Sequence, residues 1–241
     1  MDSLPHNFIS SAIHLASRSS LSEFSFLDSN LWKSVAENYV YKCKYYEVIV
    51  GANSLDITAS IYSKESFRWC SLQGFKAAIT PYTRVSMVSV CWSVTQRHEP
   101  LVTGTADLQL LVQCLKRLPI AVLSTSKYVK LEDLENAAFL LEIPARQISI
   151  GAATPGLLNY HLLENPNLIE VHVYRMSTRV FLWKLTESWK RGVKQELLEE
   201  IPETKKSLED QGFKFIKKSN FYIWSAHITG VTGKSICFFA H

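Results

Sequence analysis

Two segments carry residue types that could act as acids, bases or phosphate ligands. His98 and Glu99 follow a long apolar run, and a histidine beside a carboxylate can transfer protons near neutral pH. Neighbouring residues of an extended chain point to opposite sides, however, so this pair does not converge on one substrate. The segment 233–235 is similar to the end of a phosphate-binding loop, but Ile228 occupies the position of its first glycine. We therefore predict that the protein is not an enzyme.

Cysteine usage and hydropathy restrict the remaining chemistry. No apolar run approaches the roughly 18 residues of a membrane span, and the N-terminus lacks the apolar stretch of a secretory signal. The five cysteines are an odd number, widely spaced, with no Cys-x-x-Cys pair. We expect reduced thiols in a cytosolic setting, with neither a metal site nor a cofactor. These cysteines are Cys43, Cys70, Cys91, Cys114 and Cys237.

Charge is concentrated towards the C-terminus. The net charge is +4, and the segment 175–220 holds eleven Lys and Arg against seven Asp and Glu, whereas the rest of the chain holds fifteen of each. A local basic excess suits an acidic partner such as nucleic acid or anionic lipid, although it is also typical of a solvated helix face. The candidate nucleic-acid-binding residues are Arg97, Arg175, Arg179, Lys184, Lys190, Arg191, Lys194, Lys214, Lys217 and Lys218.

Strands are predicted where β-branched and aromatic residues dominate. In 86–94 the bulky side chains, Trp92 among them, share one face, which predicts that this face is buried. In 168–174 the polar residues alternate with apolar ones, so Glu170 and His172 are expected on a solvated face. The predicted strands are 45–50, 55–62, 67–80, 86–94, 119–125, 146–152 and 167–175, with a hairpin over 213–228.

Helices are predicted where apolar residues recur at helical spacing, over 8–15, 105–118, 131–143, 180–201 and 202–212. We detect no internal repeat and no alternation of strands with helices in the core. The sequence therefore favours a mainly β fold, an antiparallel jelly-roll-like β-sandwich with short inserted helices and an α/β C-terminal extension, over a doubly wound sheet. Its predicted parts are an N-terminal extension (1–44), the sandwich core (45–180) and a helical and hairpin region (181–241).

The order of these segments is similar to that of a known family. NSLDITASIY, FRWCSLQGFKAAITPY and VSMVSVCWSVTQR are followed by KRLPIAVLSTSKYVKLEDLENAAFLLEIPARQISIG and by NLIEVHVYRMSTR. This succession resembles the core of the thirty-kilodalton movement protein superfamily of plant viruses, over somewhat more than half of the chain. Arg97 matches the family's arginine after the apolar strand. The aspartate usual just before it is absent, because Val94, Thr95 and Gln96 occupy that ground.

The resemblance implies a non-catalytic protein that binds single-stranded nucleic acid without sequence preference and helps a viral genome pass between cells. The implied partners are the viral genome, peripheral membrane or plasmodesmal host proteins, and a second copy of the chain. The implied locations are the host cytoplasm, the cell periphery and plasmodesmata. Alternatives from other classes are a viral matrix-type structural protein that contacts membrane or nucleocapsid, a cellular β-rich adaptor, and an enzyme with no recognised motif.

Replacing Lys214, Lys217 and Lys218 together by alanine tests the predicted nucleic-acid contacts. Each neutralised phosphate releases about 0.7 of a condensed counterion on a single strand, so the salt dependence of affinity should flatten by up to about two units. Affinity should fall alike for unrelated RNA sequences, as measured by fluorescence anisotropy across a salt series. If the triple variant binds as tightly as the parent at every salt concentration, these lysines only form a solvated surface.

Overall fold

The computed structural model describes residues 5–15, 23–24, 26–53, 56–92, 101–173, 213–218, 221–229 and 235–240. Its N-terminal part holds two helices, α1 (His6–Leu15) and α2 (Asn30–Lys42). The second begins at Ser29, whose hydroxyl accepts a hydrogen bond from the Trp32 amide, as N-cap residues do. The two helices pack around a small core of their own, which includes Ile9, Ile13, Trp32, Val35 and Ala36.

Eleven strands and five further helices follow in the described residues. The strands are β1 (Lys44–Ala52), β2 (Ile57–Ser63), β3 (Arg68–Cys70), β4 (Thr83–Cys91), β5 (Leu101–Thr103), β6 (Ile120–Thr125), β7 (Ala145–Ile150), β8 (Glu170–Val173), β9 (Phe213–Lys218), β10 (Phe221–Thr229) and β11 (Ser235–Ala240). The helices are α3 (Leu72–Ala78), α4 (Thr105–Leu115), α5 (Leu131–Asn136), α6 (Ala138–Leu141) and α7 (Pro155–Asn159), which continues into a π-helical turn, Tyr160–Glu164.

All the strands belong to one mixed sheet, in the order β3-β2-β1-β4-β6-β7-β8-β11-β10-β9, with β5 beside β2. The six central strands, from β1 to β11, pair in parallel. Antiparallel strands close both ends, with β2 and β3 on one side and β10 and β9 on the other. Along the chain, β4, β6, β7 and β8 add to the sheet in sequence order, each after a helical connection.

A repeated pattern underlies this parallel progression. Val85, Val88 and Val90 of β4 are spaced φ-x-x-φ-x-φ, where φ is a residue buried in the core. The same spacing recurs as Ile120, Leu123, Thr125, then as Ala145, Ile148, Ile150, and begins again at Leu168 and Val171. Paired strand register aligns Val88, Leu123, Ile148 and Val171 across four strands. The spacing is that of the L-x-x-L-x-L motif in leucine-rich repeats, where each strand is followed by a helical segment.

The helices lie together on the face to which this pattern points. Leu111 and Leu115 of α4, Leu140 of α6 and Leu157 of α7 share one hydrophobic core with the central strand residues. In space α3 contacts α4, α4 contacts α6, and α6 contacts α7, so the helices form a layer in chain order. Because every crossover adds its strand on the same side of the previous one, a single handedness puts all the helices on one face.

The turns after β6 and β7 are joined by a buried hydroxyl. Thr125 Oγ1 accepts hydrogen bonds from the Gly151 and Ala152 amides, at 3.2 and 3.3 Å, and donates to the Ala152 carbonyl. The Gly151 amide also donates to the Thr125 carbonyl, at 2.8 Å. A buried hydroxyl needs such partners, because an unsatisfied polar group is costly to desolvate. The threonine at the last buried position of β6 therefore fixes the turn that follows β7.

The fold confirms part of the prediction from sequence and corrects part of it. A β-rich core with short inserted helices is present, and 213–228 forms the predicted antiparallel hairpin. Antiparallel pairing is limited to the two ends of the sheet, however, so a plain mainly β jelly roll does not describe the core. The expected absence of alternating strands and helices was wrong, because β4, β6, β7 and β8 pair in parallel and are separated by helices.

Two local assignments also change. The segment 67–80 was predicted as one strand, but its second half is α3, capped by Ser71, whose hydroxyl accepts from the Gly74 amide. Leu72 and Phe75 are buried on one side of that helix. Trp92 was predicted to be buried with the valines of β4, but the strand ends at Cys91 and the indole side chain is 59% exposed. The predicted helices over 180–212 lie outside the described residues.

Substituting Gly151 by alanine should destabilise the fold. The new Cβ would lie 2.6 Å from the Thr125 carbonyl oxygen and would also overlap the backbone at Lys127, which side-chain movement cannot relieve. Overpacking of this kind typically costs about 1–3 kcal/mol. Gly156→Ala is the matched control, because a Cβ there meets nothing within 4 Å and alanine favours the helix that contains it. Urea unfolding should give a lower midpoint for the first variant and not for the second.

Candidate binding surface

The side of the parallel strands that faces away from the helices forms a second continuous surface, here called the open face. Strand pairing aligns its residues in two rows. The first row is Glu47, Met87, Val122, Gln147 and Glu170, and the second is Ile49, Ser89, Ser124, Ser149 and His172. All ten side chains are half-buried. At the usual strand spacing the rows extend about 19 Å across the five strands.

The open face is not part of either core. None of its ten residues belongs to the hydrophobic core beneath the helices or to the core around α1 and α2. In the described part of the chain the N-terminal helices meet the sheet at one corner, where Tyr45 and Tyr82 pack against their core. Parallel sheets normally have helices on both faces, whereas repeat solenoids leave one face free as a binding surface. Away from the corner at Tyr45 and Tyr82, the described residues place no helical layer on the open face.

The charged side chains of this face have close polar partners. Glu47 forms an ion pair with Lys64, with Oε1 and Nζ 2.7 Å apart. The Glu170 Oε1 and His172 Nε2 atoms are 2.8 Å apart, and both side chains remain partly exposed. The expectation that Glu170 and His172 point away from the core is confirmed. The ten residues include two glutamates and no lysine or arginine.

Serine, histidine and glutamate lie together on the open face, which raises the question of hydrolytic chemistry. Ser149 is the strand partner of His172, and His172 contacts Glu170. A tetrahedral intermediate needs backbone N–H groups aimed at its oxyanion, and the sheet residues around Ser149 pair with β6 and β8 on either side. Among the described residues this arrangement supplies a half-polar contact surface with hydroxyl donors and acceptors.

Exposed aromatic residues stand at the carboxyl edge of the same strands. Trp92 directly follows β4, and Tyr128 follows β6 by three residues; their side chains are 59% and 73% exposed. The Lys127 ammonium lies 5.0 Å from the centroid of the Tyr128 ring. The ends of parallel strands meet at one edge of a sheet, so both aromatic residues lie at the carboxyl edge of this sheet. Nothing in the sequence pattern alone distinguished Trp92 from a core residue.

The structure describes three of the ten predicted nucleic-acid-binding residues. Lys214, Lys217 and Lys218 lie in β9, the last strand of the sheet order, where they pair with residues of β10. The other predicted residues fall outside the described part of the chain. They are Arg97, Arg175, Arg179, Lys184, Lys190, Arg191 and Lys194. Their contact with nucleic acid stays a prediction.

Four of the five cysteines have described side chains. Cys43 and Cys114 are buried, and Cys70 and Cys91 are half-buried. Burial raises the pKa of the Cys43, Cys70 and Cys114 thiols above the ordinary value. A raised pKa disfavours the thiolate, which is the form that binds metals and attacks disulfides. The described residues contain no group of three or more His, Cys, Asp or Glu side chains arranged to hold a metal ion.

Comparison with known proteins gives no family for this chain. Family models, curated proteins and solved structures were searched, and none matches. In the described part of the chain, every helix is too short or too polar to cross a membrane. The assignment of function therefore depends on the geometry of the molecule itself.

The start of β8, which carries Glu170 and His172 to the open face, is fixed by a buried polar cluster. His161 is fully buried, and its Nε2 lies 3.0 Å from the Leu141 carbonyl oxygen, which can only accept. Its Nδ1 lies 3.0 Å from the Asn165 amide nitrogen, which also donates to the Ala145 carbonyl at 2.7 Å. The Asn165 side-chain oxygen accepts from the Asn167 amide. The imidazole is therefore neutral, with its proton on Nε2.

Acid should weaken the fold through His161. Desolvation by burial lowers its pKa from 6.5 to about 4, so the unfolded chain binds a proton between these pH values while the folded protein does not. Stability from this group is complete above pH 6.5 and falls by about 1.4 kcal/mol per pH unit as the pH drops towards 4. Urea unfolding at pH 7 and pH 5 should therefore differ by about 2 kcal/mol more in the parent than in His161→Gln.

The comparison with His161→Gln isolates one imidazole, since the carboxylates titrate in both proteins. Equal pH dependence in the parent and His161→Gln would show that the buried histidine does not resist protonation.

Proposed function

We propose that this protein is a non-catalytic adaptor that holds a protein partner against the open face. The observation that carries the proposal comes from the described residues: the central parallel strands share a core with the helices on one face, while the ten residues of the other face belong to neither described core. A continuous, half-exposed sheet face of this kind is the surface that repeat solenoids use for binding.

The chemistry of the surface favours a protein over a nucleic acid as the partner. The second row of the open face has Ser89, Ser124 and Ser149 side by side. Their short hydroxyl side chains allow a partner to approach closely, and they both donate and accept hydrogen bonds. Trp92 and Tyr128 supply large exposed rings at one border, the residue types that contribute most binding energy at protein interfaces. Nucleic-acid surfaces depend on lysine and arginine, which the two rows lack.

The movement function implied by the family resemblance remains a second hypothesis. Its support is the basic excess between Arg175 and Asn220, most of which lies outside the described residues. The jelly roll of that family would be antiparallel, and the central pairing of this sheet is parallel, so the fold adds no support to it. Both hypotheses describe a protein that binds a macromolecule and performs no chemistry, and they differ in the surface used.

Charged substitutions on the open face should abolish partner binding. Ser124→Arg combined with Ser149→Arg places two guanidinium groups in the middle of the rows, and Trp92→Ala removes one anchor at the border. Loss of a central contact typically costs tenfold or more in affinity. Gln113→Arg is the control, because Gln113 is exposed on α4, in the helical layer on the other side of the sheet.

The measurement is quantitative mass spectrometry of proteins that co-purify with each variant from the source cell, after urea unfolding has shown equal stability. The expected result is one set of proteins that is lost from the double variant and from Trp92→Ala but retained by Gln113→Arg. Retention of every co-purifying protein by both open-face variants would contradict the proposal. Sequence-independent RNA binding that depends on Lys214, Lys217 and Lys218 would support the movement hypothesis instead.

A further inference from the structure

A cavity of about 370 Å³ opens at the amino edge of the parallel sheet, at the opposite ends of the strands from Trp92 and Tyr128. It lies where β6 and β7 begin and where the loop before β8 passes. Its apolar wall consists of Leu118, Pro119, Ile120 and Pro144. Leu118 and Ile120 are buried in the main core, so this wall is part of the folded framework.

The polar wall of the cavity is strongly basic. It is formed by Lys116, Arg117 and Arg146, with Asn167 beside them, and none of the described lining residues is acidic. Lys116 and Arg117 follow the end of α4, where cations commonly offset the helix dipole. Arg146 reaches the cavity from β7, a separate element. Three cationic side chains from two separate elements therefore converge on one cavity that has apolar walls.

Backbone contacts hold the cavity in shape. The Pro119 carbonyl accepts from the Val85 amide at 3.0 Å, and the Arg146 carbonyl accepts from the Ile169 amide at 2.8 Å. The Asn167 amide donates to the Asn165 side chain, which belongs to the buried His161 cluster. Two of the lining residues are prolines, whose ring fixes one backbone angle. A pre-formed cavity loses little entropy on binding, which favours a specific ligand over transient counterions.

From this geometry we infer that the cavity binds a small organic anion, a phosphate or carboxylate group on an apolar body, independently of any partner on the open face. The guanidinium groups of Arg117 and Arg146 suit such a group, since arginine pairs with phosphate and carboxylate through two parallel hydrogen bonds. The apolar wall suits a ring or short alkyl chain attached to it. The volume lies near the lower limit for small-ligand pockets, about 300 Å³, and excludes a dinucleotide.

Isothermal titration calorimetry of the full chain with phenyl phosphate, inorganic phosphate and phenol tests the inference. Phenyl phosphate should bind with a Kd below about 1 mM at low salt and more weakly as salt screens the charges. Inorganic phosphate should bind at least about tenfold more weakly, because it leaves the apolar wall empty, and phenol should not bind detectably. Equal affinity for the two phosphates would refute the role of the apolar wall.

The variants locate the site. Arg146→Gln and Arg117→Gln should each lower the affinity for phenyl phosphate at least about tenfold, since each removes a charge-assisted contact. Arg68→Gln, at an exposed arginine of β3, should leave it unchanged. Because Arg117 is exposed, its variant should fold normally even if Arg146→Gln does not. No binding by the parent at about 5 mM phenyl phosphate, or binding that both variants retain, would overturn the inference.

A phosphotyrosyl peptide and its unphosphorylated form distinguish the source of the anion. If the phosphorylated peptide binds more tightly than phenyl phosphate and Arg117→Gln weakens both, the site is supported and the anion comes from a partner's side chain. If phenyl phosphate binds and the peptide does not, the site is supported and takes a free small molecule.

Discussion

The structure depends on one constraint: β4, β6, β7 and β8 must each bury one row of side chains against the helical layer. Val88, Leu123, Ile148 and Val171 occupy equivalent places in four neighbouring strands and are all within 2% of complete burial. Burying a side chain of this size typically contributes about 1.5–3 kcal/mol, so the row is a main source of stability. Each of these strands packs chiefly on its neighbours. The alignment of this row therefore also determines where the open face and the amino-edge cavity lie.

Buried polar groups form hydrogen bonds where the chain turns between successive strands. Thr125 binds the turn after β7, and His161 with Asn165 joins the end of α6, the start of β7 and the loop before β8. Both clusters are buried, and both satisfy backbone groups that a turning chain leaves without a ladder partner. Apolar residues thus provide most of the stability of the units, while a few buried hydrogen bonds set the geometry between them.

The sequence predicted the elements better than their arrangement. Residue alternation located β4, β6, β7 and β8, and helical spacing located α1 and α4, because these periods are local properties. Parallel and antiparallel strands share the same two-residue period, so the pattern could not decide the pairing. The recurring spacing of buried residues was not detected because the intervals between the strands differ: Leu123 follows Val88 by 35 residues, whereas Ile148 follows Leu123 by 25. Its core positions also include Thr125 and Ala145 in place of large apolar residues.

The candidate surfaces were harder still to predict, since they depend on long-range contacts. Arg117 and Arg146 are far apart in sequence and meet only because β6 and β7 are neighbours. The helix α3 was hidden within a segment of strand-favouring residues, and the serine cap at Ser71 was its local signal. Trp92 could be recognised as exposed only from the point at which β4 ends, which no periodicity specifies.

The antiparallel strands at the two ends of the sheet limit how far the stack can grow. A parallel array with bare ends could add a further copy of itself at either side and lengthen into a fibre. Here β1 is covered by β2 and the three-residue strand β3, and β11 is covered by β10 and β9. A very short outermost strand offers few backbone groups to an incoming chain. A further parallel strand beside β1 or β11 would therefore have to displace the antiparallel strands that already pair there.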